Sequence, residues 1–375
     1  MKKLFYGTTA LVAAGMLASG SAAAADKVKM GVGGYFQAFF VVADQDDGTG
    51  EPGANRREHG LSREGEIIFN GKTTFDNGIQ VGVQVQLEAE VCNDQIDESF
   101  MWFSGGFGRV NIGSENSAAY LMHYAAPAPS HWAHGLNSPN FRHWSGGGNL
   151  ANFPHTNPVN ISSDAEKLTY FTPRFAGFQV GVSYTPDVCE EAIAGSVPAT
   201  CGGSYAGLPS DTNATGEAWE GSVNYVGNFG DVGVRVSGSY GIAEDEVGGA
   251  AREDPTEWSV GGQVSFAGFT IGGAYTDREA LAGASGADQT QYNAGVRFAT
   301  GPWGVGIQYS HAEATNAAQS GDDELDGFEV GGSYALGPGV VLSAGIQYVE
   351  VEDESGLAAN ENKATIGFIG THVAF

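Results

Sequence analysis

Apolar and polar residues alternate with a period of two along nearly the whole chain. Between Glu257 and Phe266, Trp258, Val260, Gly262, Val264 and Phe266 share one side, and Glu257, Ser259, Gly261, Gln263 and Ser265 the other. The division recurs with Ile79, Val81, Val83, Val85 and Leu87 against Gln80, Gly82, Gln84, Gln86 and Glu88, and with Trp303, Val305, Ile307 and Tyr309 against Gly304, Gly306, Gln308 and Ser310. Successive side chains of a strand point to opposite faces, so these segments are strands with one apolar and one wet face. Helices are disfavoured, because 58 of the 375 residues are glycine and each costs about 1 kcal/mol in a helix interior.

A soluble sandwich would also alternate, and connection length separates the two architectures. Short links at Asp76-Asn77-Gly78, Gly105-Gly106-Phe107, Arg174-Phe175-Ala176, Gly227 to Gly230, Ala267, Thr300-Gly301 and Gly337-Pro338-Gly339 carry the residues of tight turns. Longer polar links separate them near 43–61, 91–97, 114–165, 186–216, 242–255, 278–288, 313–325 and 351–362. Strict alternation of seven short and eight long links joins sixteen strands with both termini on the short-turn side. Lys2 and Lys3, the apolar stretch from Leu4 to Leu17 and the small residues Ser21 to Ala25 read as an export signal over residues 1–25, leaving 26–375 as one domain. Nothing after Ala25 suits a spanning helix, so a membrane-inserted chain must close as an all-β transmembrane antiparallel barrel. At sixteen strands such a barrel encloses an aqueous lumen. The 44 acidic residues against 17 basic ones, net charge −27, repel a phosphate backbone, so no nucleic-acid partner is expected.

Three stretches carry a family resemblance. Asn70-Gly71-Lys72-Thr73-Thr74-Phe75 leading into the Asp76-Asn77-Gly78 turn resembles an early hairpin of Gram-negative general porins, the α-proteobacterial group above all. Gly108-Arg109-Val110-Asn111-Ile112-Gly113-Ser114-Glu115-Asn116 resembles the strand entering their constriction loop, and Tyr170 to Tyr184, with Pro173, Arg174 and Phe175 at its turn, the hairpin after it. Phe375 is the C-terminal residue that such barrels share. The resemblance implies a homotrimer in outer-membrane lipid and lipopolysaccharide. It also implies that the long third loop folds into the lumen, with acidic loop residues opposite basic wall residues. In this sequence the acids would be Glu115, Asp164 and Glu166, and the bases Lys72 and Arg109, with Arg63, Arg235 and Arg297 as further candidates. Opposed charges across a wet opening order water and exclude apolar solutes. Ions and small hydrophilic solutes would diffuse through, cations ahead of anions given the acidic excess.

The third loop also holds five of the eight histidines, His123, His131, His134, His143 and His155, beside Trp132 and Trp144. They read either as a pH-sensitive eyelet or soft-cation site or as packing against the wall. Cys189 and Cys201 could close a disulfide within one exterior link; Cys92 is left over, as an intersubunit bond or a buried thiol. Asp322, Asp323, Glu324 and Asp326 form one of several acidic clusters that could hold Ca2+ or Mg2+ against lipopolysaccharide, or simply be solvated. A substrate-specific channel with the loop aromatics as a stacking surface and a surface adhesin are the alternatives. No serine nucleophile with a paired histidine marks an enzyme.

Overall fold

A computed structural model describes residues 27–89, 96–131, 136, 143–144, 158–188, 215–249, 251–315, 322–354 and 356–375. Cys92, Cys189, Cys201, Trp132, His134, His155 and the export signal fall outside them. Sixteen strands follow in order: β1 (Lys29–Gln45), β2 (His59–Thr74), β3 (Gln80–Glu88), β4 (Ile96–Gly105), β5 (Gly108–Ser114), β6 (Glu166–Phe171), β7 (Phe178–Thr185) and β8 (Ala218–Phe229). Then come β9 (Val232–Ala243), β10 (Thr256–Phe266), β11 (Phe269–Glu279), β12 (Gln289–Thr300), β13 (Trp303–Thr315), β14 (Asp322–Gly337), β15 (Val340–Glu352) and β16 (Asn362–Ala374). Each pairs antiparallel with its sequence neighbours, and β1 pairs with β16, so the sheet closes into a barrel without an edge. Short and long connections alternate as expected. Two of the tight turns place alanine and glycine together at positive φ, Ala176 with Gly177 and Ala267 with Gly268, the twist that a two-residue hairpin turn needs.

The outward positions are apolar: Val180, Val223, Val260, Ile307 and Ile346 all stand exposed on the barrel surface. Aromatic pairs bound this band at both ends. Tyr184 with Trp219 and Trp258 with Tyr275 lie toward the long connections, and Phe269 with Phe298 and Trp303 with Tyr334 toward the short turns. Girdles of aromatic rings mark the levels where hydrocarbon gives way to polar headgroups.

The inner face is not uniformly wet. Phe39 and Val41 of β1, Val349 and Val351 of β15 and Ile366 and Phe368 of β16 turn inward and pack with Leu136 and Trp144 of the third connection in one buried apolar cluster. A dry core inside the barrel therefore anchors that connection. Burying Trp144 also removes it as a stacking surface for solutes.

Candidate functional site

The described parts of the third long connection, between β5 and β6, lie along the inner wall. It starts with a one-turn helix, α1 (Ala118–Leu121), capped by the Ser117 side chain. The outbound limb then meets successive strands at their inward polar groups. Ala118 N–H donates to Ser183 Oγ (2.8 Å), Tyr124 N–H to Ser237 Oγ (3.0 Å) and Ala126 N–H to Asn293 Oδ1 (2.9 Å), while Gln263 Nε2 donates to the Ala125 carbonyl (2.8 Å). Inward glycines make the track on which this backbone lies. A β-carbon at Gly261 would collide with the Tyr124 carbonyl, one at Gly306 would sit 2.9 Å from Pro129 Cα, and one at Gly331 2.8 Å from Ser130 Cβ. The return limb lies over Gly241, where a β-carbon would sit 2.8 Å from Val159 Cγ1.

Buried glutamates hold both limbs to the wall. Glu220 of β8 accepts from Ser117 Oγ (3.1 Å), from Ile161 N–H (3.1 Å) and from Ser162 Oγ. Glu257 of β10 accepts from Asn160 N–H (2.9 Å) and lies 3.3 Å from Arg278 Nε. Glu329 of β14, wholly buried, accepts from Ser130 Oγ (3.1 Å), Leu136 N–H (3.0 Å) and Gln347 Nε2 (3.0 Å). Sequence reasoning did not single out these three carboxylates. Their inward parity was readable, but their partners in the loop, backbone N–H groups and serine hydroxyls, are 58 to 199 residues away.

With β7 to β16 lined in this way, and β1 covered at Phe39 and Val41, the described lumen-facing side chains that stay accessible include Glu66, Lys72, Gln84 and Arg109 of β2 to β5. Among the described residues the loop touches β4 through Asn116 on Glu98 (2.9 Å) and β2 through His143 on Ser62 (3.4 Å). Lys72 and Arg109 project there as expected and share a cavity of about 610 Å³ with Lys27, Lys29, Asn70, Gln84 and Trp102. The Arg109 guanidinium lies 4.9 Å from the Trp102 ring and donates to Asn111 Oδ1 (2.6 Å), while Asn111 Nδ2 donates to Glu115. Acid and base thus stand on one wall joined through an amide rather than facing each other. Burial pushes the Glu115 carboxyl up to about 7, against the pull of Asn111, Arg109 and Lys167. Asp164, at the loop's return, accepts Ser114 Oγ on its carbonyl (2.6 Å). Arg235 lies 5.9 Å from the Tyr124 ring and Arg297 donates to Ser333 Oγ (2.9 Å), both on the far wall.

Two expected constriction residues lie elsewhere. Arg63 pairs with Ala38 and points outward with Leu61 and Ile67. Glu166 is exposed beside outward Leu168, because β6 begins at Glu166 and the strand parity turns its neighbour Lys167 inward. Lys167, buried and not foreseen, donates to the carbonyls of Ser163 (2.8 Å), Ala165 (2.5 Å) and Glu115. The acidic cluster also splits: Asp323 is buried on the inside, whereas Asp322, Glu324 and Asp326 are outward, with Asp326 bound to Tyr309 and His311 (3.0 Å). Four carboxylates so divided cannot converge on one ion. Among the described residues, Glu64, Glu66 and Glu88 of β2 and β3 are the group whose carboxylates come close enough to share a cation.

The described histidines sit at separate parts of the wall, so they cannot form one metal centre. His131 stacks near His372 of β16 (ring centroids 4.5 Å), His143 meets Ser62 of β2, and His123 is buried with neither ring nitrogen hydrogen-bonded. Burial pushes all three down to about 4, with Arg278 adding to the effect at His123 and His372 and Arg297 at His131. A packed loop that holds neutral imidazoles binds fewer protons than a released one. Its stability is complete above about 6.5, the ordinary imidazole value, and is lost as pH falls toward 4. Glu115, held near 7, titrates in the opposite sense. Single-channel current is therefore expected to be steady from pH 6.5 to 8 and to become noisy as pH falls from 6 to 4. The substitution His123→Leu should lower the onset.

Residues 7–354 match the Gram-negative porin family, and the chain belongs to it. Among solved structures it is similar to the anion-selective porin of Comamonas acidovorans, at 17% identity and TM-score 0.63 over 93% of this chain and all of that one. It is also similar to OmpT of Vibrio cholerae in its trimer form (12%, TM-score 0.57, 93% and 100% covered) and to a mutant of the Rh. blastica porin (14%, TM-score 0.56, 92% and 100%). No curated protein matches its sequence. Family and fold make this an outer-membrane channel whose short turns lie on the periplasmic side.

Proposed function

We propose that this chain is a passive diffusion channel for ions and small hydrophilic solutes, with a preference for cations. The observation that carries it is the closed sixteen-stranded barrel of a porin whose inward face keeps accessible charged groups, Glu66 and Lys72 on β2 and Arg109 on β5. Preference for cations is read from the acidic excess, 44 acidic residues against 17 basic ones, and from the inward carboxylates Glu64, Glu66, Glu88 and Glu98 of β2 to β4. The likeness to an anion-selective porin stands at 17% identity and bears on the fold alone. In a potassium chloride gradient across a planar bilayer, the dilute side is expected to become positive by tens of millivolts, less so as salt shortens the screening length. A reversal potential of chloride sign overturns the preference.

The channel assembles as a homotrimer through the sector from β16 to β5. Outward tyrosine and tryptophan occur on β6 to β15, whereas the outward positions of β16 and β1 to β5 carry Phe36, Phe40, Phe69, Met101, Ile112 and Ile369 without either residue. A wall that meets protein instead of headgroups needs no interfacial rings. The outward rim acids Asp322 and Glu324 meet lipopolysaccharide through Ca2+ or Mg2+.

A further inference from the structure

Among the described strand residues, charge inside the barrel is sorted along the pore axis. Lys29, Lys72, Arg109, Arg235 and Arg297 all turn inward near the short-turn ends of their strands, on the periplasmic side of the track followed by the third connection. The inward carboxylates Glu64, Glu66, Glu88, Glu98 and Asp323 lie on the exterior side or level with the track. Two bases sit among the acids, yet both are engaged: Arg278 lies 3.3 Å from Glu257, and the Lys167 ammonium is ringed by backbone carbonyls. Among the described strand positions, no inward acid lies in the periplasmic section. Lys29, Lys72 and Arg109, joined there by Lys27, line one cavity of about 610 Å³ with the carboxamides of Asn70 and Gln84, a lining suited to small carboxylates or phosphates.

We propose that the lumen is bipolar, an outer section that holds cations in series with a periplasmic section that holds small anions, and that it conducts more current when the exterior is positive. The inference rests on the channel reading above. An acidic wall enriches cations and a basic wall enriches anions within a screening length, about 10 Å at 0.1 M salt. With the exterior positive, cations leave the acidic section inward and anions leave the basic section outward, so both carriers accumulate where the sections meet. Reversed polarity draws both away from that junction and depletes it. The sign of the asymmetry is thereby set by the order of the charges.

The test is single-channel recording of the full protein in 0.1 M potassium chloride at equal and opposite voltages. Orientation is established by an antibody to an epitope inserted in the first exterior connection. The expected current ratio is about two in favour of exterior-positive voltage, falling toward one at 1 M salt, where the screening length is about 3 Å. Lys29→Glu with Lys72→Glu should bring the ratio to one while raising cation selectivity, in a barrel whose heat-modifiable migration shows that it has folded. A ratio of one at low salt, the opposite sign, or an asymmetry that persists at 1 M overturns the bipolar assignment. Absence of any conductance steps overturns the channel reading instead. Should the double variant fail to fold, the salt series on the unaltered protein decides.

Discussion

Leucine in place of Gly261 is expected to raise single-channel conductance about twofold or more and to admit larger sugars in liposome swelling. Even a β-carbon at this inward position of β10 would overlap the Tyr124 carbonyl, a main-chain group that cannot rotate away as a side chain would. Tyr124 and Ala126 are both tied to the wall, through Ser237 (3.0 Å) and Asn293 (2.9 Å), so a displacement at 124 breaks bonds on either side. The dense packing of interiors leaves no slack to absorb a whole side chain. The loop must lift, and a lifted loop widens or empties the lumen according to where it settles. The strand itself should remain, because its hydrogen-bond ladder to β9 and β11 does not involve the side chain. Gly238 on β9 supplies the control: a β-carbon there meets nothing within 4 Å, and Gly238→Leu should leave conductance unchanged. A folded Gly261→Leu barrel that conducts like the parent would show that the loop is not held on this track.

Strand count and closure were legible because both rest on local signals, period two and turn chemistry, repeated sixteen times. Which side a given residue faces was less so. The parity of Ile67 and Phe69 already turns Arg63 outward, whereas Glu166 depended on where β6 begins, which is decided by its register with β5. A shift of one residue exchanges Glu166 and Lys167 between lipid and lumen. The run Ala38-Phe39-Phe40-Val41-Val42 is apolar on both faces and marks a strand buried on both sides, although the sequence does not say what covers it. The covering groups, Leu136 and Trp144, are about a hundred residues away. The abundance of glycine was visible, as was the inward parity of Gly261, Gly306 and Gly331. Its reason, a second layer of backbone against the wall, exists only once the loop has folded inward. The opposed charges implied by the resemblance became a relay along one wall, because Arg109 and Asn111 of β5 and Glu115 just past its end turn to the same side.

The second large effect is expected from Glu220→Ala combined with Glu329→Ala. Glu220 binds the beginning and the end of the loop at once, through Ser117 on the outbound limb and Ile161 and Ser162 on the return. Glu329 secures the far stretch through Ser130 and Leu136. Hydrogen bonds of this kind contribute about 0.5–1.5 kcal/mol each, and a buried donor left without one costs about 1–3 kcal/mol. The two sites lie on distant strands with separate partners, so their effects should add. The double variant should conduct noisily, with a larger mean step than either single variant. Protease should cut the third connection while the barrel's thermal transition stays near that of the parent, since the strand ladders are untouched. Glutamine at either position keeps one carbonyl acceptor but sets an amide N–H where a donor already points, so its effect should fall between alanine and the parent. If alanine at both sites left the current quiet and the loop protected, the glycine track and the apolar cluster around Trp144 would have to hold the loop alone. Gly261→Leu measured in that background would then show a larger change than in the parent.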